Sequence, residues 1–366
     1  MATGGDAVLF TGFPGFIGVR LLPRLLELRP DTRVACLVQQ RFAALAETQI
    51  REIEAAHPHA RGRIELVLGD ITAPGLGIEP GALRVLKPDL VGAYHLAAVY
   101  DLAVRREVGE RINVLGTRHV LETLAGAPRF RKLDYVSTAY VSGTFRGTFR
   151  ESDLSVGQGF KNHYEETKYL AEVEVKRSGL PVTVYRPGVV VGDSRTGETA
   201  KFDGPYFVLA AMTRLPSPGL FLRVGSGRNV ANLVPIDFVV EALARLSATD
   251  ASLGKTYHLT DPEPLATLEI ARLFARLLGK RFGFVPVPLG LARLLVGNPL
   301  ARAFLGMPRE SLDYFDNPCR YDSTEATRDL AAFGIRCPRF SEYAPVLVAF
   351  FNEKMRGDEV RREAMI

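Results

Sequence analysis

Two apolar rhythms alternate along the first half of the chain. Short apolar runs bounded by turn residues recur at "AVLFTG" (7–12), "TRVACLV" (32–38), "RIELVLGD" (63–70), "DLVGAYHLAA" (89–98), "RKLDYVSTAYVSG" (131–143) and "LPVTVYRPG" (180–188). Between them lie stretches with helical spacing: "GFIGVRLLPRLLELR", "QRFAALAETQIREIEAA", "NVLGTRHVLETLAG" and "YEETKYLAEVEVKRSG". Runs that are apolar on both faces, separated by helices, predict an α/β fold with a parallel sheet covered by helices on both faces. The pattern loosens after about residue 190. "RVGSGRNVANLVPIDFVVEALARL" and "GKTYHLTDP" read as segments near 225–260 that return to the sheet. The remainder of 196–353 reads as a smaller, mainly helical C-terminal region, and 354–366 as a charged tail.

Composition adds limits. A chain of 366 residues, 47 % of them apolar, can bury a full core. The net charge of +5 is spread without a Lys/Arg block, which argues against nucleic acid and suits an acidic ligand such as a dinucleotide phosphate or a phosphorylated thiol carrier. Cys36, Cys319 and Cys337 lack metal-ligand spacing, so no metal site is expected. Cys36 sits in an apolar run, and Cys319 and Cys337 can pair without being required to. Nothing resembling a signal peptide or a membrane span is read, and a reducing cytoplasmic setting is the expectation.

"TGFPGFIG" places Gly12, Gly15 and Gly18 between a predicted strand and a predicted helix. A tight turn, a close phosphate approach and helix–strand packing each demand a residue without Cβ there. This context makes residues 1–195 a Rossmann-type dinucleotide-binding domain, with Phe13, Pro14, Phe16 and Ile17 completing the loop. After the second strand, "CLVQQRF" offers Gln39 and Arg41 where an NAD-selective site carries an acid. That favours NADPH, with Arg41 pairing a 2′-phosphate or, alternatively, starting a helix in solvent. Asp70, with Ile71, either reaches the adenine or caps the next turn; Ala97, Ala98, Pro187 and Val189 complete the cofactor candidates.

Tyr164 and Lys168 lie four apart on a predicted helix and share a face. They follow Thr138, which leaves a strand in "YVSTAYVSG", and Asn113 in an intervening helix. A carbonyl receiving hydride develops charge on oxygen. Thr138 can stabilise that charge, Tyr164 can donate a proton, Lys168 and the nicotinamide can favour the tyrosinate, and Asn113 can organise a relay. Ser137, adjacent to Thr138, is the alternative hydroxyl and a substrate candidate. His163, beside Tyr164, reads as exposed or locally bonded, and His95 as a packing or cofactor-loop residue.

With these pieces, and with "HLAAVYDL", "NVLGT" and "RPGVVVGDS", the chain resembles the extended short-chain dehydrogenase/reductase superfamily. Within it, "GRIELVLGDITAPGLGI", "VSTAYVSG" and "RPGVVVGDSRTG" are similar to fatty acyl-CoA reductases and to the thioester reductase domains of carboxylic acid reductases and peptide synthetases. The resemblance implies NADPH-dependent reduction of an acyl thioester to an aldehyde, possible continuation to the alcohol, and Thr138, Tyr164 and Lys168 as the catalytic centre. Relatives often carry arginine where Gln39 stands here. The implied partners are a hydrophobic acyl thioester on CoA or on an acyl carrier protein, with a homodimer open as well.

Tyr140, Phe202 and Tyr206 are candidate substrate residues, and "KFDGPYFVLAAMTRLPSPG" (201–219) and 288–307 candidate acyl-binding segments. Ordinary helix packing is the alternative for both, and peripheral membrane contact a further one for 288–307. The competing activity is an NADPH-dependent ketone or aldehyde reductase acting on a hydrophobic substrate. The competing non-enzyme is a dinucleotide sensor or scaffold, which has no need of the Thr–Tyr–Lys set.

Overall fold

A computed structural model describes residues 5–297, 312, 314 and 318–363. Its first half runs β1 (Ala7–Thr11), α1 (Phe16–Leu28), β2 (Arg33–Val38), α2 (Ala43–Ala56), β3 (Ile64–Leu68), α3 (Pro80–Leu86), β4 (Leu90–His95), α4 (Arg106–Gly109), α5 (Gly116–Ala125), β5 (Lys132–Val136), β6 (Gly147–Phe149), α6 (His163–Arg177) and β7 (Val182–Pro187). The second half adds β8 (Val189–Val191), α7 (Pro205–Arg214), β9 (Gly219–Val224), β10 (Leu233–Pro235), α8 (Ile236–Ser247), β11 (Thr256–Leu259), α9 (Thr267–Leu277), β12 (Phe282–Val287), α10 (Leu289–Gly297) and β13 (Cys319–Tyr321). Two further helices, Thr324–Ala331 and Phe340–Glu363, follow.

Seven strands form one parallel sheet in the order β11-β7-β5-β4-β1-β2-β3. Its alternation explains the doubly apolar runs. On one face Val8, Phe10, Val34 and Cys36 meet Leu22 and Leu25 of α1 and Val239 and Leu243 of α8. On the other, Ala7, Leu9, Ala35 and Leu37 meet Val120 and Leu124 of α5 and Ala171 and Val175 of α6. Each such buried aliphatic side chain contributes about 1.5–3 kcal/mol relative to an exposed one.

The smaller region gathers Leu209 and Met212 of α7, Ile270 and Phe274 of α9, and Tyr343, Leu347 and Phe351 of the last helix into a separate core. Three short parallel pairs, β8–β10, β9–β12 and β6–β13, join segments far apart in the chain. The expected mainly helical region is therefore stitched together by strands that the apolar pattern alone does not predict. Residues 298–311, which include the second half of the apolar segment 288–307, lie outside the described residues, as does the end of the charged tail, 364–366. No helix among the described residues is long and apolar enough to cross a membrane. Cys36, Cys319 and Cys337 are free thiols.

Candidate active site

The C-terminal ends of β1, β4, β5 and β7 converge, the place where open α/β sheets bind ligands. At β1 the chain turns through Gly12, whose φ of +94° suits glycine. A Cβ added at Gly12 would sit 2.8 Å from Leu96 Cβ and 2.9 Å from the Ala97 nitrogen. The Gly15 N–H donates to the Gly12 carbonyl at 2.9 Å, and a Cβ at Gly15 or Gly18 would lie 2.7 or 2.8 Å from that same oxygen. One carbonyl therefore accounts for the second and third glycines. The next helix starts with no side-chain cap and no acid in its first turn, so its N–H groups and positive end face outward. Phe13 is buried, and Phe16 and Ile17 pack on the core, leaving their backbone and that of Pro14 at the turn. This cradle fits the pyrophosphate of a dinucleotide.

At the end of β2, Gln39 bridges two charges. Its Nε2 donates to Asp70 Oδ2 and its Oε1 accepts from Arg41 Nε, both at 2.8 Å. Asp70 also accepts from the Thr72 N–H at 2.8 Å, which is the turn-capping alternative. Arg41 is exposed and lies over the Phe42 ring. Ile71 is buried against Gly116, and its carbonyl bonds His119. Past β4, the Ala97 N–H donates to Thr11 Oγ1 at 3.2 Å, while Ala98 is exposed. Pro187 ends β7 in a buried position, and the Val189 N–H donates to the Asn232 carbonyl at 2.9 Å.

The reduction centre stands beside this turn. Asn162 caps α6 by accepting from the Glu165 N–H, which fixes Tyr164 in the first turn. Tyr164 is buried, and the Thr138 hydroxyl acts on its phenol. Burial holds its phenol above the ordinary tyrosine range, with Tyr100 adding to the rise and Thr138 opposing it. Lys168 Nζ donates to Tyr135 Oη at 3.2 Å and to the Val136 carbonyl at 2.9 Å. Burial pulls the ammonium down to about 8, while Glu172 opposes the fall. Its polar partners are thus on β5 rather than on Tyr164.

Asn113 lies in a π-helical turn, Glu110–Leu115, a distortion frequent at functional sites. Its Oδ1 accepts from the Val99 N–H at 2.9 Å and its Nδ2 donates to Thr167 Oγ1 at 3.1 Å. It therefore ties the loop after β4 to α6. That loop carries Tyr100, half-exposed, whose ring meets Tyr164 edge-on at 5.3 Å. Ser137 turns the other way and donates to Glu172 Oε2 at 2.5 Å. His95 joins Thr11 (2.7 Å) to Thr117 (2.9 Å) between β1 and α5, and exposed His163 bonds Glu166.

The substrate candidates divide. Tyr140 is buried behind the centre and packs edge-on against Tyr314 at 4.9 Å. Phe202 and Tyr206 pack on Phe351 in the smaller core, where Tyr206 Oη accepts from the Gly192 N–H at 3.2 Å. Tyr100, Tyr135 and the buried Glu172–Arg186 pair went unmarked in the sequence. Only the helical spacing of Glu172 from Lys168 pointed to any of them. A cavity of about 400 Å³ beside Thr260, Leu330 and Cys337 shares no residue with this centre.

The chain is similar to several known proteins. The family described as "Male sterility protein", an NAD-binding family, matches residues 10–243. A linear gramicidin synthase polypeptide of Brevibacillus parabrevis is 30 % identical over 273 residues, 70 % of this chain and 5 % of that protein. Fatty acyl-CoA reductase wat of Drosophila melanogaster is 27 % identical over 284 residues, 68 % of this chain and 55 % of that protein. The crystal structure of the terminal R domain from the myxalamid PKS-NRPS biosynthetic pathway is 27 % identical, with a TM-score of 0.79 over 97 % of this chain and 92 % of that one. The match covers well over half of the chain, and it includes the glycine turn, Thr138, Tyr164 and Lys168. The chain belongs to the Male sterility protein family, in the extended short-chain dehydrogenase/reductase superfamily, and is of the thioester-reductase type related to fatty acyl-CoA reductases.

Proposed function

We propose that the chain uses NADPH to reduce an acyl or peptidyl thioester to an aldehyde. The observation that carries this reading is the buried Thr138–Tyr164 hydroxyl pair with Lys168 one turn on, set beside the glycine turn. Two hydroxyls that converge from a strand end and a helix can both donate to one carbonyl oxygen. A nicotinamide dinucleotide held on the glycine turn would supply the hydride to the thioester carbon. Thr138 steadies the oxygen as it gains charge. Tyr164, kept protonated by burial, delivers a proton to it and leaves a hemithioacetal. Breaking its C–S bond then releases aldehyde and thiol. Lys168, still mostly cationic at neutral pH, is placed to hold a ribose hydroxyl.

Support for NADPH over NADH comes from the end of β2, where neutral Gln39 and cationic Arg41 replace the usual acid. Support for a thioester comes from the relatives, two of which are named as a reductase of fatty acyl-CoA and as a terminal R domain of a PKS-NRPS pathway. The chain matches 5 % and 55 % of the length of the two curated relatives, so carrier and acyl group belong to the proposal. A fatty acyl chain would gain about 0.8 kcal/mol for each methylene it buries.

The test follows NADPH oxidation with acyl-CoAs of graded length and with carrier-bound acyl thioesters, and identifies the products. Fatty aldehydes and hydrophobic ketones run alongside. Free thiol with aldehyde supports the reading, and alcohol from both thioester and aldehyde extends it to four electrons. Reduction of ketones or aldehydes with every thioester inert replaces it with the carbonyl-reductase reading.

A further inference from the structure

Glu172 lies one helical turn beyond Lys168 and two beyond Tyr164, and it is fully buried. Its Oε2 accepts from Ser137 Oγ at 2.5 Å, and its Oε1 from Arg186 Nη2 at 2.6 Å and Nε at 3.1 Å. Ser137 is the residue before Thr138. Arg186, on β7 and 1 % exposed, also reaches His258 Nε2 of β11 at 3.1 Å. One carboxylate thus ties the helix bearing Tyr164 and Lys168 to the strand end bearing Thr138 and to the next two strands. Taking two charges out of water costs several kcal/mol each, and well-packed apolar residues would often hold such elements at least as firmly.

We propose that Glu172 is a positioning residue of the reduction centre: it sets Thr138 through Ser137 and places a carboxyl group one helical turn from Lys168. This rests on the reading of Thr138, Tyr164 and Lys168 given above. The titratable groups that act on Lys168 are Tyr135 of β5, His95 of β4 and Glu172 of α6. Burial and the charge of Lys168 keep His95 neutral, its value pushed down to about 3. Glu172 is the one carboxyl group of this set. Glu172 itself faces Arg186, Ser137 and, further along α6, Lys176.

The test reads NADPH affinity against pH by fluorescence, with no turnover required. Wild-type affinity falls as pH rises through about 8, where Lys168 loses its proton. Glu172→Gln moves that midpoint down by about one pH unit, the effect of losing one nearby opposite charge. Because Glu172→Gln strands the Arg186 charge, the neutral double variant Glu172→Gln/Arg186→Gln is measured too, with a shift in the same direction but smaller, since a cation leaves with the anion. Lys168→Met removes the midpoint altogether. A folded variant that keeps the wild-type midpoint overturns the proposal, as does an alkaline loss that survives Lys168→Met. A wild-type chain that binds NADPH but reduces no thioester overturns the proposed substrate and leaves this test standing. A chain that binds no dinucleotide overturns both.

Discussion

Replacing Tyr164 with Phe removes one oxygen and almost nothing else. The ring stays buried, and its edge-on contact with Tyr100 at 5.3 Å persists. The structural loss is confined to the phenol oxygen and its interaction with Thr138. The chemical loss is the proton donor aimed at the developing oxyanion, typically worth about 10²–10⁴ in rate, or about 3–5 kcal/mol of barrier. Thr138 remains as the other donor, so residual turnover is expected. The assay is steady-state NADPH oxidation at saturating thioester, with NADPH affinity and Tm measured on the same protein. The kcat should fall by about 10²–10⁴ while affinity and Tm change little. The alkaline midpoint should stay near pH 8 in both proteins, because Lys168 sets it and the Tyr164 phenol titrates higher. A variant within about tenfold of the wild-type kcat would refute the assignment of Tyr164 as the acid.

Gly12→Ala should weaken NADPH binding and cost about 1–3 kcal/mol, since its Cβ would meet Leu96 and Ala97 at 2.8–2.9 Å; fluorescence titration and Tm check both. Asn113→Ala should lower kcat and destabilise by about 1–3 kcal/mol by stranding the Val99 N–H, measured by denaturant unfolding beside kinetics. Arg41→Ala should raise the KM for NADPH and leave that for NADH nearly unchanged, which paired steady-state runs test. Burial pushes the Glu151 carboxyl up to about 7 from 4.5, so between those values the folded state binds more protons than the unfolded one. Its contribution to stability is present below that window and is lost as pH rises through it, and Glu151→Gln should flatten Tm against pH there.

The parts legible in the sequence were those with a local cause. Strands β1, β2 and β4 are apolar on successive residues because both faces of a parallel sheet are covered, so Val8 and Leu9 are apolar alike. Gly12 has to turn the chain beneath Leu96, and Tyr164 and Lys168 share a face by helical period alone. Long-range contacts decided the rest. Asp70 and Gln39, 31 residues apart, meet only because β2 and β3 pair. Ser137 and Thr138 are adjacent hydroxyls that the sequence could not separate, and the strand's alternation sends one to Glu172 and the other to Tyr164. Phe202 and Tyr206 carry the same apolar character whether they line a pocket or pack a core, and the last helix, arriving with Phe351, placed them in the core. Sequence period determines which way a side chain points from its own element. Tertiary structure determines what it meets, because the partner comes from another segment whose position no local spacing encodes.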